Sequence, residues 1–231
     1  MVIAMFLAHL MGDFVLQWDG LAQWKSRELT GVVVHTLVVF AVTALLALPI
    51  DPAFWPGVVF ISASHFLIDA AQFYFRPAIS PLARFAVDQS LHLTTILLAL
   101  VWSGYLEWGS LGPGIVASAQ ETPALTALLG YTFLTMPAWV LLKFVVYGVV
   151  KHEPPDFPAG PNKFIGIFER VAIATLVLFG PVLLVPLVAL PRVIVTWPRV
   201  TRGNDSVYLI EFLSSAGLAI VVGLGLNALA F

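Results

Sequence analysis

Seven ionisable residues stand inside stretches apolar enough to enter a bilayer. They are His9 and Asp13 in AHLMGDFVLQ, His35 in VVVHTLVV, His65 and Asp69 in SHFLID, and Asp88 and His92 in VDQSLH. Three of the four stretches carry a His and an Asp four residues apart, which places the pair on one helix face a turn apart. The chain has no cysteine. Imidazole with carboxylate and no thiolate is the ligand set of zinc first, and of manganese or non-haem iron. Four His and three Asp exceed what one tetrahedral ion needs. The surplus suits a second ion, residues that orient the ligands, or a general base, for which Asp13 and Asp88 are the candidates. The bland alternative is hydrogen bonding between helices, and His35 alone would deserve it.

Composition names the solvent. The 231 residues are 60% hydrophobic and 10% charged, with mean hydropathy +0.96. A soluble domain carries about 25% charged residues, so the chain reads as an all-α, polytopic membrane bundle. The formal net charge of −2 gives no sign of a nucleic-acid partner. No Lys or Arg precedes the first apolar run, and His9 and Asp13 interrupt it, so it reads as a span and not as a cleavable signal.

A span needs about 20 mostly apolar residues. Six candidates occur at roughly 1–17, 31–49, 54–75, 84–106, 123–150 and 207–231. The stretch 164–197 is too long for one simple span and is broken by Pro181, Pro186 and Pro191. It reads either as one kinked span or as a re-entrant helical hairpin. The first four spans, 1–106, form a region bearing the His/Asp cluster, and 107–231 forms a C-terminal membrane region. Lys25 and Arg27 lie in the 18–30 loop, Arg76 and Arg84 in the next basic turn, and Lys151 and Lys163 in the 151–163 loop. Arg192, Arg199 and Arg202 follow in 191–206, whereas the 50–53 turn and the 107–122 connection have no Lys or Arg. The positive-inside rule then places the basic loops in the cytoplasm and both termini outside, and favours the hairpin. Trp18, Trp24, Trp102, Trp108 and Trp197 sit near span ends as interfacial anchors.

In that orientation most of the seven groups fall in the cytoplasmic half of the membrane. Their order also repeats. His9–Asp13 followed by His35 is echoed by His65–Asp69 followed by His92, with His-to-His separations of 26 and 27 residues. This suggests a duplicated helical hairpin, 1–49 and 54–106, with a shared site at the repeat interface.

The second half offers GPNKFIGIFER, in which Gly160 and Pro161 start a helix. Lys163, Glu169 and Arg170 are candidates for binding an anionic substrate group, and Arg170 also for holding a cluster carboxylate. Adjacent residues diverge by about 100° on a helix, so Glu169 and Arg170 need not pair. One could reach the cluster while the other snorkels. Lys143 and Tyr147 share a face, Glu211 enters the last span, and His152 lies in a solvated linker outside the site.

The elements AHLMGDFVLQ, SHFLID and VDQSLH, with the later GIFER and YLIEFLSS, resemble the bacterial membrane family catalogued as domain of unknown function 3307. The resemblance runs from His9 to about Ser215. HxxGDFxxQ and DQxxH are its most specific parts, and it implies the architecture more than any activity. In polar residues alone the chain is loosely similar to membrane-bound metal-dependent hydrolases. Three functions stay open. One is a metal-dependent hydrolase acting on a lipid or amphipathic substrate in the inner membrane; another is a metal-ion or proton transporter using the same cluster. The third is a non-catalytic membrane module. Membrane lipids are the expected partners, and an oligomer is compatible with each.

Overall fold

The computed structural model describes residues 1–75, 78–157, 162–203 and 206–230; the side chain of residue 162 and those of 195–196, 198–203, 206 and 230 lie outside that description. Arg76, Gly160 and Pro161, and the side chains of Arg199 and Arg202, therefore fall outside the described residues. Among the described residues the chain is all-helical. Four helices are long and apolar enough to cross a membrane: Leu29–Ala47, Pro52–Tyr74, Pro81–Trp102 and Val207–Leu229. Two bent pairs raise the count to six if each is one span.

The first compact unit comprises Met1–Ile79 and Ala83–Thr132. It opens with α1 (Val2–Leu10), which runs into a π-turn at Met11–Val15, closed by the Leu16 amide on the Met11 carbonyl at 2.8 Å. The expected 18–30 loop is instead a helix, α2 (Asp19–Arg27), bent 84° from α1. Its one buried side chain is Leu21, with polar residues over the rest. Such a pattern suits a short amphipathic helix lying along a surface, and it lacks the apolar length of a span. Next come α3 (Leu29–Ala47), α4 (Trp55–Tyr74, preceded by a 3₁₀ turn at Pro52–Phe54) and α5 (Pro81–Trp102). The 107–122 connection likewise contains a helix, α6 (Leu111–Glu121), packed on α1.

One end of this unit is an apolar core in which Met5, Ala8, Phe54, Val58, Ile96 and Leu100 pack together. Close approach sets the geometry at two glycines. A Cβ on Gly12 would come within 3.1 Å of Val39 on α3, one turn from His35, so the glycine brings the π-turn against α3. A Cβ on Gly31 would lie 2.4 Å from the Lys25 backbone nitrogen, so α2 is seated directly on the start of α3.

The second unit comprises Ser80–Leu82 and Phe133–Phe231. The span expected at 123–150 is divided at Thr135: α7 (Pro123–Leu134) lies in the first unit up to Thr132, and α8 (Met136–Val146) lies in the second. A π-turn at Tyr147–Lys151 follows, and His152 closes it in the left-handed region at φ 56°. The stretch 164–197 forms two helices, α9 (Asn162–Phe179) and α10 (Val185–Gly203), separated by Gly180 and Pro181. The side chains of Glu169 and Arg192 meet at 2.7 Å. A straight helix would separate these residues by roughly 34 Å, so α10 folds back along α9. Of the three expected breakers only Pro181 interrupts the helix. Pro186 sits in the first turn of α10, where a missing N–H costs nothing. Pro191 lies within α10 and the helix continues through it. The last helix, α11 (Ser206–Ala230), packs on α9 and α8.

Candidate metal centre

The π-turn carries Asp13, α1 His9, α3 His35, α4 His65 and Asp69, and α5 Asp88 and His92. All seven converge, and all but the half-buried Asp88 are buried. A π-turn is a common local device at functional sites, because the extra residue re-aims a side chain.

Four atoms define the centre: His35 Nε2, His65 Nε2, Asp13 Oδ1 and Asp69 Oδ2. The two imidazole nitrogens face each other at 3.0 Å. His35 Nε2 lies 3.1 Å from Asp13 Oδ1 and 3.7 Å from Asp69 Oδ2. His65 Nε2 lies 3.4 Å from Asp69 Oδ2 and 3.9 Å from Asp13 Oδ1. Ligands about 2.0–2.2 Å from a tetrahedral ion stand roughly 3.4 Å apart, and the five separations straddle that edge. Asp13, His35 and His65 form one group able to hold a metal; His65, Asp69 and His92 form a second, and Asp13, Asp88 and His92 a third. Both ring nitrogens of His92 are buried without a hydrogen-bond partner. Its Nε2 stands 3.8 Å from Asp69 Oδ1 and 3.9 Å from Asp88 Oδ1. A buried imidazole with two unpaired nitrogens is costly, and a metal ligand is one group that removes the cost.

His9 belongs to none of the three groups. Its Nε2 meets Gln89 Oε1 at 3.1 Å, and its ring lies edge-on to that of His92 with centroids 5.6 Å apart. Gln89 is the hub that links the outer residues, because its amide nitrogen donates to Asp13 Oδ2 at 3.0 Å and Asp88 Oδ2 at 2.9 Å. Gln72 donates to the other Asp88 oxygen. Lys25, reaching down from α2, puts its ammonium 2.9 Å from Asp69 Oδ2 and 3.7 Å from Asp13 Oδ1. Sequence reasoning missed Lys25 as a site residue, having used it only as a loop charge. A small cavity with room for about one water molecule lies beside the centre, walled by His9, His65 and His92 and by Met5, Ile61 and Ile96.

Lys163, Glu169 and Arg170 sit in the second unit. Glu169 and Arg170 diverge as expected, but both are buried and neither snorkels. Glu169 pairs with Arg192, whose guanidinium also lies over the Phe212 ring. Arg170 donates to the carbonyls of Leu134 and Thr135, at 2.8 and 3.2 Å, and to the Ser215 hydroxyl at 3.2 Å. It thereby serves the Leu134 oxygen freed where the chain breaks between α7 and α8, and adds to the Trp139 amide that the Thr135 oxygen already accepts at 3.3 Å. Lys143 pairs with Glu211 at 3.1 Å and lies over the Tyr147 ring. Lys163 lies over the rings of Trp139 and Phe164.

The molecule is thus of the polytopic helical class, with a buried His/Asp centre gathered from four candidate spans. Residues 1–111 match the family model described as Protein of unknown function (DUF3307). The match takes in all seven cluster residues with Lys25, Gln72 and Gln89, whereas GIFER and YLIEFLSS lie outside it. No curated protein and no solved structure matches the chain.

Proposed function

We propose that this is an inner-membrane, metal-dependent hydrolase acting on a lipid or other amphipathic substrate near the cytoplasmic face, with both termini on the opposite side. The observation that carries the reading is the quartet of His35, His65, Asp13 and Asp69, with five separations of 3.0–3.9 Å at a tetrahedral edge length. A divalent ion held there, zinc before manganese or iron, would supply Lewis acidity. His92 is the natural further ligand. Asp88 is the most exposed cluster carboxylate, its side chain 17% accessible against 6% for Asp13 and 5% for Asp69. Its place at the rim, steadied by Gln72 and Gln89, suits a base that takes the proton of an attacking water.

The apolar packing of Phe54, Val58 and Leu100 beyond the site speaks against transport. A conduit needs polar lining beyond the site, and this end of the unit is packed with apolar side chains. The test is turnover of a lipid extract by metal-loaded protein, followed by mass spectrometry of the products. Hydrolysis products are expected from the wild type, with at least a hundredfold loss in Asp88→Asn and metal content unchanged. Absence of turnover combined with metal flux into liposomes would replace the hydrolase by a transporter.

A further inference from the structure

Lys25 contacts the same two oxygens that complete the quartet, Asp13 Oδ1 and Asp69 Oδ2. We propose that Lys25 is a built-in rival of the metal: its ammonium and the ion contend for one pair of carboxylate oxygens, and metal binding turns the lysine out toward the site mouth. The inference rests on the metal reading given above.

Three observations support it beyond the distances. The Lys25 side chain is 22% accessible while those of both carboxylates it reaches are nearly buried, so the lysine stands at the rim of the site with its ammonium turned inward. It rides on α2, a short helix bent 84° from α1. The backbone of Trp24 and Lys25 sits against Gly31, which fixes where the lysine stem starts but leaves its four-carbon chain free to swing. Two carboxylates side by side repel each other, and one cation relieves that repulsion; a second cation at the same oxygens restores a like-charge cost. The lysine therefore sets a threshold that an ion must exceed, favouring a divalent ion with nitrogen ligands over a monovalent one.

The full-length protein, stripped of metal by chelator in detergent, is titrated with zinc and with manganese against a competing chromophoric chelator. Wild type, Lys25→Met and Lys25→Arg are compared, with size-exclusion profiles to establish folding. Amine-reactive labelling of Lys25, read by mass spectrometry, is followed in wild type with and without metal. Lys25→Met is expected to bind at least about tenfold more tightly than wild type, since it relieves the like-charge cost. Lys25→Arg should bind no more tightly than wild type, and Lys25 labelling should rise on metal addition. A wild type that binds metal while Lys25→Met binds equally or more weakly overturns the rivalry alone, as does unchanged labelling. Metal binding by neither protein overturns both the rivalry and the metal reading.

Discussion

At the scale of single residues, the buried carboxylates Asp13 and Asp69 each have a neighbour whose loss would strand them. Asp13 is the most connected, meeting His35, Lys25 and Gln89. Asp13→Ala should cost roughly 3–5 kcal/mol, the usual penalty for breaking a buried ion pair, and the loss should appear in thermal unfolding in detergent. Arg170 makes the corresponding prediction in the second unit. Arg170→Ala leaves the Leu134 carbonyl unserved, at about 1–3 kcal/mol, whereas the Thr135 carbonyl keeps the Trp139 amide; Arg170→Lys should recover little because an ammonium lacks the planar fork. Metal content should not change in either Arg170 variant. The metal-ligand candidates were legible because His and Asp at i,i+4 in an apolar run have few bland explanations when the pattern comes three times. Gln72 and Gln89 were not, since an uncharged amide carries no such alarm. Arg170 was read as a holder of an anionic substrate group or a cluster carboxylate, whereas its partners are two backbone carbonyls, which leave no trace in residue types, and the Ser215 hydroxyl.

At the scale of elements, glycine contacts and turn chemistry position the site. Gly31→Ala would drive a methyl group into the Lys25 backbone. It should push α2 off α3, draw the ammonium from Asp69, and increase amine labelling of Lys25 in the metal-stripped protein. The 48–54 connection shows a different device. Asp51 accepts from the Ala53 amide at 2.8 Å and from the Tyr105 hydroxyl, joining the start of α4 to the chain after α5. The Tyr105 hydrogen bond first, then that of Ala53, holds the Asp51 carboxyl below its ordinary range, and the same bond pushes Tyr105 up to about 12. A lowered carboxyl contributes stability that is present above the unfolded value and lost as pH falls through the folded one. The difference in melting temperature between wild type and Asp51→Asn should therefore be full near neutrality and shrink below about pH 4. Four spans were legible from apolar length alone. The break at Thr135 was not read although Pro137 marks it in the first turn of α8, and α2 was taken for a loop because its polar residues outnumber its apolar ones. Pro191 misled in the other direction, since the helix Val185–Gly203 runs on through it.

At the scale of the molecule, the chain divides into a unit that gathers the His/Asp centre and a second unit with its own buried ion pairs, Glu169 with Arg192 and Lys143 with Glu211. Four helices supply the centre, so no one of them could bury its charged groups alone. The order of the four, with His9–Asp13 and His35 echoed by His65–Asp69 and His92, gives each half of the quartet one His and one Asp. The central claim is that this quartet holds a metal. The most direct measurement is the metal content, by inductively coupled plasma mass spectrometry, of protein purified in mild detergent from metal-supplemented medium without a metal-chelating tag. The double variant His35→Ala with His65→Ala would run beside it, leaving Asp13, Asp69 and Lys25 to hold the helices together. The account predicts near-stoichiometric zinc, manganese or iron in the wild type and its loss in a double variant that still elutes as folded protein. A wild type without metal, or a double variant that retains as much, would contradict it.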